Sequence, residues 1–324
     1  MRQIVHLLDD DQLGGVTRLL ASLIDSLSDE ATHHRLIVRT QHRLAPSLAG
    51  LRPDVIVIHF TASWAKLGFL ASLRLRAGGA RIILVEHSYT EGYELRRVRQ
   101  VSRFRAMLRL AYGCADQIVA VSQGQAAWLR KAGLVTADRV TVIPPVLDLT
   151  AFASLAPPVP RPGPMRLGAF GRFAPQKGFD TLLAAMRLVP PDFATLDLAG
   201  YGPDEAALRH QAQGLDHVRI RGPVDPVAFM AEIDAVAMPS RWEAGGVTCW
   251  ETRAAGRPII VADVDGLPEQ VSRESGLVVP PEQPEALAKA ICGLAADRGA
   301  VGRGGTEGAY ERVLGRWREV LKGK

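Results

Sequence analysis

The sequence has little cysteine, no long apolar run and no repeated or low-complexity block. Its three cysteines, Cys114, Cys249 and Cys292, are far apart and form no C-x-x-C pair, so the sequence suggests neither a disulfide framework nor a zinc site. No apolar run reaches the roughly 18 residues that a membrane span needs. The 324 residues are 47% apolar and 23% charged, which is typical of a globular protein of two domains.

The first residues also lack the features of a secretory leader. The short apolar run that ends at Leu8 is followed directly by three aspartates, and no cleavage site of small residues follows. We therefore expect a cytoplasmic protein. Its net charge of +5 is unevenly distributed, because residues 1–150 contain 19 basic and 13 acidic side chains, whereas residues 151–324 contain 20 and 21.

Short apolar runs alternate along the chain with segments of helical periodicity. The run Gln3–Leu8, the pair Gly14-Gly15 and the amphipathic stretch Val16–Leu27 predict a strand, a glycine loop and a helix. Further strands are predicted at residues 36–38, 55–60, 82–85, 118–121, 140–143, 166–170, 195–198, 218–220, 235–238, 258–261 and 277–279. Alternating strands and helices predict parallel sheets covered by helices on both faces.

A proline-rich segment divides this alternation into two halves. Residues 156–164 contain five prolines in nine positions, and prolines neither donate ladder hydrogen bonds nor continue a helix. We therefore predict an α/β protein with two tandem doubly wound, Rossmann-like domains at residues 1–155 and 165–305. A helix at about residues 306–324 is expected to pack back onto the first domain. Because ligands of such sheets bind beyond the carboxyl ends of the strands, we expect the site in a cleft between the domains.

Gly14 and Gly15 lie where the first predicted strand meets the first predicted helix. Glycines at such a junction let backbone N–H groups and the positive helix end approach an anion closely. A turn that needs only their dihedral freedom explains the pair equally well. The spacing is not G-x-G-x-x-G, so it does not favour a nicotinamide dinucleotide site.

A second glycine-containing segment, Gly171 to Gly178, follows a predicted strand and precedes a predicted helix. Arg172 and Lys177 therefore emerge at the carboxyl end of a strand. A planar guanidinium and a compact ammonium can together neutralise a diphosphate without a metal ion. Either residue alone would more often be a solvated surface cation.

Two glutamates, Glu243 and Glu251, are separated by seven residues across a predicted loop and helix. Their carboxylates can accept hydrogen bonds from two parts of one polyhydroxylated ligand. Two acids at this spacing are usually solvated. Here they lie between residues 238–240, at the end of a predicted strand, and residues 256–258, at a predicted turn. This position favours a shared ligand.

These segments resemble group 1, family 4 glycosyltransferases of the GT-B fold along nearly the whole chain. Gly14-Gly15-Val16 resembles the N-terminal glycine loop of that family, Gly171–Gly178 its diphosphate-binding segment and Glu243–Glu251 its E-x7-E signature. The resemblance implies a retaining hexosyltransferase (EC 2.4) that moves a sugar from a nucleoside diphosphate sugar to an acceptor hydroxyl, with no metal ion and no cofactor. The implied acceptor is a sugar or a lipid-linked sugar, as in glycolipid or polysaccharide biosynthesis.

The resemblance also implies the residues that contact the donor. Those residues are Gly14, Gly15, Gly171, Arg172, Lys177, Glu243, Ala244, Gly245, Gly246, Val247 and Glu251. Arg172 and Lys177 would bind the diphosphate and stabilise its leaving charge. Glu243 and the backbone that follows it would face the donor sugar, and Glu251 would hold the ribose hydroxyls.

His87 is the fourth residue, beside Arg172, Lys177 and Glu243, with an implied catalytic role. It follows the predicted strand 82–85, where many members of the family have a histidine near the anomeric carbon. A neutral imidazole there could orient a hydroxyl group or accept its proton. A purely structural histidine at the end of a strand is an equal alternative.

Some features leave other functions open. Residues 143–146 contain Pro144-Pro145 where the family usually has Asn-Gly, which keeps a non-catalytic GT-B scaffold as an alternative beside a nucleotide-sugar epimerase. Residues 9–11 and 263–265 fit the D-x-D pattern by which other glycosyltransferases hold a metal ion. That pattern is short, and the two cations at 172 and 177 already supply positive charge.

The positive charge of the first half is concentrated in residues 95–110, where six arginines flank an apolar stripe at helical spacing. The stripe consists of Leu95, Val98, Val101, Phe104 and Leu108. An ordinary surface helix fits this pattern, and so does a basic helix on anionic lipid, where each cation contributes roughly 1 kcal/mol. Peripheral contact with the inner face of the cell membrane would use Arg96, Arg97, Arg99, Arg103, Arg105 and Arg109. Few aromatic residues accompany these arginines, so nucleic acid is not an expected partner.

Overall fold

The computed structural model describes residues 1–9, 15–40, 44–48, 50–156, 158, 161–298 and 306–323. The chain forms two compact units. The first consists of Met1–Leu147 together with Gly308–Lys324, and the second of Asp148–Glu307. This division falls earlier in the chain than the proline-rich segment.

The first unit contains a parallel sheet of six strands among the described residues. These strands are β1 (Arg2–Leu8), β2 (Ala31–Ile37), β3 (Val55–Ile58), β4 (Arg81–Glu86), β5 (Gln117–Ala120) and β6 (Val140–Val142), in the order β2-β1-β3-β4-β5-β6. The connecting helices are α1 (Gly15–Leu27), α2 (Leu67–Arg76), α3 (Glu91–Arg97), α4 (Val101–Gly113) and α5 (Gln123–Lys131). The residues of β3 are all buried, as expected where helices cover both faces of a parallel sheet.

The second unit repeats this architecture. Its strands are β7 (Met165–Arg172), β8 (Ala194–Tyr201), β9 (Val218–Arg221), β10 (Ala235–Met238), β11 (Ile259–Ala262) and β12 (Gly276–Val279), in the order β12-β11-β10-β7-β8-β9. Its helices are α6 (Thr150–Ala153), α7 (Phe179–Met186), α8 (Glu205–Gln211), α9 (Pro226–Glu232), α10 (Val247–Ala254) and α11 (Pro284–Ala296). The predicted class, two tandem doubly wound α/β sheets, is confirmed.

Side-chain caps begin several of these helices. Thr90 accepts a hydrogen bond from the backbone N–H of Tyr93 at the start of α3, and Ser122 accepts one from Gln125 at the start of α5. Such caps satisfy backbone donors that have no partner within the helix. They fix the points at which the chain turns from the carboxyl ends of the strands into the helices.

The last helix, α12 (Ala309–Lys322), returns the chain to the first unit. Tyr310 Oη contacts Ser22 Oγ of α1 at 2.5 Å, and Arg2 donates to the carbonyl oxygen of Leu321 at 2.6 Å. The apolar side of α12 is buried. The first unit is therefore built from two separate stretches of the chain.

Two segments differ from the sequence predictions. Strand β2 begins at Ala31 rather than at residue 36, because its first half is a polar, partly exposed edge strand without the apolar signature of a buried one. The basic stretch 95–110 is not one helix, since α3 ends at Arg97 and α4 begins at Val101. Among the described residues, no helix is both long enough and apolar enough to span a membrane.

Candidate active site

The second unit brings the predicted diphosphate segment and the E-x7-E segment to one edge of its sheet. Strands β7 and β10 are parallel neighbours. The loop 173–178 leads from β7 to α7, and the loop 239–246 leads from β10 to α10. Because both loops start at carboxyl ends of adjacent parallel strands, they meet where ligands of doubly wound sheets bind.

Gly178 permits the close approach of the two loops. Its backbone has a positive φ of 63°, and a Cβ atom at this position would collide with the carbonyl oxygen of Pro239 in the other loop. A side chain is thus excluded both by the backbone conformation and by space. This explains the glycine that closes the predicted diphosphate segment.

Arg241 ties the two loops together. Its guanidinium donates to the carbonyl oxygen of Pro175 at 2.8 Å and to both carboxylate oxygens of Asp180 at 2.9 and 2.6 Å, and it also reaches Glu282 at 2.8 Å. Its backbone N–H donates to the carbonyl oxygen of Gln176 at 2.7 Å. These ion pairs raise the pKa of Arg241 and lower that of Asp180 against the opposing effect of burial. No motif in the sequence indicates this role of Arg241.

Lys177 and Glu243, both predicted to be catalytic, form an ion pair between the two loops. The distance between Lys177 Nζ and Glu243 Oε2 is 2.5 Å, and both side chains are largely shielded from solvent. A charge-assisted contact of this kind is short and strong. The two residues that the motifs place near a donor therefore lie next to each other within one unit.

The backbone around Glu243 is held from a third loop. The N–H of Glu243 donates to Asp265 Oδ2 at 3.0 Å, and the side-chain amide of Gln270 donates to the carbonyl oxygens of Gly245 and Gly266 at 2.5 and 3.0 Å. Asp265 belongs to one of the two D-x-D patterns, and its carboxylate here orients a loop.

Gly246 precedes α10 with a φ of 44°, and Val247 is the first residue of that helix. Ala244 is buried.

Arg172 and Glu251 differ sharply in exposure. Arg172 is exposed at the end of β7, and its side chain forms no hydrogen bond or ion pair with the part of the chain that the structure describes. Glu251 lies within α10 with only 1% of its surface exposed. Arg172 is thus available to an anion, whereas Glu251 is almost completely enclosed by the protein.

In the first unit, His87 follows β4 on a backbone fixed by its neighbour Glu86. The buried Glu86 carboxylate accepts hydrogen bonds from the N–H groups of Ser88 and Tyr89 at 2.8 and 2.9 Å and from Tyr112 Oη at 2.8 Å. Burial raises the pKa of Glu86, and these three donors oppose that rise. The segment that carries His87 is therefore anchored at the buried end of the strand.

The imidazole of His87 is the last of four stacked histidine rings, which we name the histidine column: His33, His6, His59 and His87. His33 Nδ1 lies 2.9 Å from His6 Nε2, His6 Nδ1 lies 3.0 Å from His59 Nε2, and His59 Nδ1 lies 3.4 Å from His87 Nε2. The ring centroids are 5.2 to 5.7 Å apart. Neither the spacing of these residues nor their surroundings in the sequence indicated this arrangement.

Burial keeps the histidine column uncharged. Burial, together with repulsion between His6 and His33, lowers the pKa of His6 to about 3, and burial lowers the pKa of His87 to about 4. The pKa values of His33 and His59 are also lowered, chiefly by burial. At neutral pH each ring therefore has one protonated and one unprotonated nitrogen.

The remaining predicted site residues lie elsewhere or outside the described residues. Gly14 is outside the described residues, and Gly15 is the first, exposed residue of α1. Gly171 has a φ of 141°, and a Cβ atom at this position would lie 3.7 Å from Cε of Lys177. No group of three or more metal-ligating side chains is present in the described part of the chain, and the expected independence of metal stays a prediction.

The six arginines of residues 95–110 do not form one surface. Arg105 makes a bidentate pair with Glu94 at 2.9 and 2.6 Å, and Arg109 donates to the carbonyl oxygens of Gly133 and Ala132. Arg96, Arg97, Arg99 and Arg103 are exposed. The predicted apolar stripe is also incomplete, since Leu95 is 74% and Val101 37% exposed.

Two family models match most of the chain. The model described as Glycosyltransferase Family 4 matches residues 13–151, and the model described as Glycosyl transferases group 1 matches residues 164–297. The chain is 29% identical over 296 residues to a GDP-mannose-dependent alpha-(1-6)-phosphatidylinositol monomannoside mannosyltransferase of Mycobacterium tuberculosis, covering 82% of this chain and 73% of that protein. It is 30% identical over 240 residues to a D-inositol 3-phosphate glycosyltransferase of Segniliparus rotundus, covering 64% and 53%.

Solved structures show the same fold at lower identity. Anabaena Alr3699/HepE in complex with UDP and glucose has a TM-score of 0.79 at 19% identity, with both chains covered completely. The sucrose-phosphate synthase of Thermosynechococcus elongatus has a TM-score of 0.79 at 20% identity, with 99% of this chain and 98% of that chain covered. The predicted GT-B fold is confirmed.

Proposed function

The chain belongs to the group 1, family 4 glycosyltransferases, enzymes of the EC 2.4 type, and we propose that it is a retaining, metal-independent member that acts on a lipid-linked acceptor. The donor is a nucleoside diphosphate sugar bound at the second unit. The acceptor is a sugar headgroup of a glycolipid precursor, or a polysaccharide precursor of the same chemistry. The M. tuberculosis relative, whose name specifies a phosphatidylinositol mannoside, supports the lipid-linked acceptor.

The observation that carries this proposal is the Lys177–Glu243 ion pair, together with the exposed Arg172 at the end of β7. A diphosphate leaving group develops negative charge as the bond to the sugar breaks, and two preorganised cations stabilise that charge. A diphosphate that binds to Lys177 competes with Glu243, so the carboxylate of Glu243 becomes available to hydroxyl groups of the donor sugar. The two cations perform the task that a divalent metal performs in other diphosphate sites, which is why we propose that no metal ion is needed.

A thermal-shift experiment tests the donor site. UDP, GDP and ADP and their common sugar conjugates are added to the protein with EDTA present throughout. Binding of the matching nucleotide at 100 times its Kd stabilises the folded protein by about 2.7 kcal/mol and raises Tm. We expect a rise for one base, its loss in Lys177→Ala, and its retention in Lys289→Ala, which removes an exposed lysine of α11 in the same unit. No rise with any nucleotide, or a rise only with Mn²⁺, contradicts the proposal.

The proposed contact with lipid is restricted to part of the basic stretch. Exposed Leu95 and Val101 are accompanied by exposed arginines, and the Arg103 guanidinium lies 5.5 Å from the ring centroid of Trp64, which is itself 46% exposed. Apolar and aromatic side chains among cations are typical of surfaces that rest at the headgroup level of a bilayer. We name this set the basic apolar patch: Trp64, Leu95, Arg96, Arg97, Arg99, Val101 and Arg103.

Vesicle sedimentation tests this patch. We expect binding to vesicles with 30 mol % phosphatidylglycerol, and weak binding to pure phosphatidylcholine, because each cation near an anionic surface contributes about 1 kcal/mol. Replacing Arg97 and Arg99 by Glu should release the protein. The matched control Arg130→Glu reverses the charge of an exposed arginine on α5 of the same unit and should leave binding unchanged. Equal release in the patch variant and the control contradicts the proposed patch.

A further inference from the structure

The histidine column follows a regular path across one face of the first sheet. The register pairs His33 of β2 with Ile4, two residues before His6 of β1. It pairs Val57 of β3, two residues before His59, with His6. It pairs Ile83 of β4 with Val57, so His87 lies two residues beyond the level of His59.

Each histidine is therefore displaced by two residues from its neighbour, always toward the carboxyl ends of the strands. A displacement of two keeps every ring on the same face of the sheet, since side chains alternate with a period of two. Diagonal neighbours in adjacent strands are close enough for ring contact. The path starts at the edge strand β2 and ends at His87, beyond the end of β4.

The inner rings of the histidine column have no other polar partners among the described residues. His6 is 0% exposed, and both its nitrogens face other imidazoles. Both nitrogens of His59 also face other imidazoles. Buried polar groups that lack a partner are costly, so the rings satisfy each other. At His87 the Nε2 atom faces His59, and Nδ1 has no partner within the described residues.

Neutral imidazoles in such a row have linked tautomers. Each contact needs one N–H donor and one unprotonated acceptor, and a ring that donates at one nitrogen accepts at the other. Every contact in the column joins an Nδ1 atom to an Nε2 atom. All four rings must therefore carry their proton on the same kind of nitrogen, either Nε2 throughout or Nδ1 throughout.

We propose that His59, His6 and His33 are positioning residues that act through His87, holding its ring in one orientation and one tautomer so that Nδ1 presents a fixed hydrogen-bonding group to a substrate hydroxyl. This inference rests on the proposed glycosyltransferase function. The neighbouring rings restrict rotation of the His87 ring, and the row of hydrogen bonds ties its tautomer to that of the other three rings, so that it cannot change alone. A substrate hydroxyl that binds to an acceptor or donor already fixed in place is oriented without a further loss of side-chain entropy in the enzyme.

The first test is long-range ¹H–¹⁵N NMR of histidine side chains in the wild-type protein at pH 7, with His6, His33, His59 and His87 assigned by single substitutions. We expect four neutral rings in a single tautomer, protonated at the same kind of nitrogen. Different tautomers among the four rings, or averaged shifts at His87, overturn the proposal. This measurement requires neither a substrate nor turnover.

The second test compares His59→Phe with His59→Gln. Phenylalanine keeps a stacked ring but removes both hydrogen bonds, so we expect mixed tautomers at His87 and a fall in kcat of about tenfold with the donor KM unchanged. Glutamine restores a donor and an acceptor and should recover part of kcat. The control His34→Phe removes a histidine of β2 that bonds Gln3 outside the column and should change neither readout.

The outcomes separate this inference from the proposed function. Wild-type kcat and an unchanged His87 tautomer in His59→Phe overturn the positioning role while the glycosyltransferase function stands. Absence of sugar transfer by the wild-type protein overturns the proposed function, and the NMR test then still decides whether the column sets the tautomer of His87. If His59→Phe fails to fold, the wild-type spectrum alone decides that point.

Discussion

At the scale of single residues, Lys177 and Glu243 are predicted to have separable tasks. Glu243→Gln removes the charge that competes with a diphosphate for Lys177, so nucleotide affinity should stay equal or increase by up to about tenfold, a change of about 1.4 kcal/mol. Turnover should fall at least about a hundredfold, because contact with the donor sugar is weakened. Isothermal titration with the matching nucleoside diphosphate, together with kcat, measures both effects.

Lys177→Ala is the comparison for that prediction. It removes a charge-assisted contact to the diphosphate and should weaken nucleotide binding by more than about tenfold. If Glu243→Gln weakens nucleotide binding as much as Lys177→Ala does, then the carboxylate binds or orients the nucleotide itself, and the assigned tasks are wrong.

The motifs in the sequence indicated the candidate site residues, but not the residues that hold the loops of the site in place. Arg172, Lys177, Glu243 and Glu251 stand out by spacing, because the chemistry of a diphosphate and a sugar demands their residue types. Arg241 and Gln270 could not be found in this way, since each donates to a backbone carbonyl oxygen of another loop, that of Pro175 and that of Gly245. The roles of such residues depend on which loops the sheet brings together.

At the scale of elements, the connection between the loops 173–178 and 239–246 is predicted to depend on Arg241. Arg241→Lys keeps the charge but loses the bidentate contact with Asp180 and the bond to the Pro175 carbonyl, because an ammonium lacks the planar fork. We expect kcat to fall about tenfold or more and nucleotide affinity to fall with it. Steady-state kinetics and calorimetry measure these changes.

Arg209→Lys is the matched control for the loop connection. Arg209 also makes two contacts to one carboxylate, that of Glu205, but it lies on the exposed surface of α8, where its further contact is with the carbonyl oxygen of Ile220 in β9 at 3.3 Å. Surface pairs of this kind contribute little to stability. Equal losses of activity in both variants would show that Arg241 has no special part in joining the loops.

Elements with a strong apolar signal were predicted well, and those shaped by tertiary contacts were not. The buried strands β3 to β5 match the predicted runs closely. The break between α3 and α4 has no proline or glycine to mark it. It accompanies the packing of Phe104 against Tyr89 and Tyr93 and the Arg105–Glu94 pair, which connect the two helices. Such a break between helices depends on side chains that are separated along the sequence but pack together in the fold.

At the scale of the whole molecule, the histidine column predicts a loss of stability at acidic pH. The pKa of buried His6 is about 3, compared with 6.5 for an unperturbed histidine. Between these values the unfolded chain binds more protons than the folded one, so stability is full above pH 6.5 and declines as the pH falls. At pH 5 this decline is about 2 kcal/mol for His6.

Urea unfolding at pH 7 and pH 5 measures that dependence. In His6→Gln the difference in the free energy of unfolding between the two pH values should shrink by about 2 kcal/mol, whatever the absolute stability of the variant. His210→Gln removes an exposed histidine of α8 and should leave the difference unchanged. An unchanged difference in His6→Gln would mean that this ring is charged in the folded protein at pH 5.

The first unit is also predicted to depend on α12. Deleting residues 308–324 removes the buried side chains of this helix and the carbonyl oxygens that accept from Arg2 and Arg81. Each large buried side chain contributes about 1.5–3 kcal/mol, so the unfolding transition of the first unit should shift strongly to lower temperature. The transition of the second unit should stay in place, as calorimetry can show. The control Lys322→Ala, an exposed position of α12, should shift neither transition.

The return of α12 to the first unit has a consequence for synthesis on the ribosome. Domains usually fold in the order in which they emerge, beginning at the N-terminus. Here the first unit cannot complete its core until the 160 residues of Asp148–Glu307 have been translated, which takes roughly 8–32 s at bacterial and eukaryotic elongation rates. All residues of the second unit are therefore synthesised before the first unit is complete. During that interval the nascent chain exposes to chaperones the apolar surface of the first unit that α12 later covers.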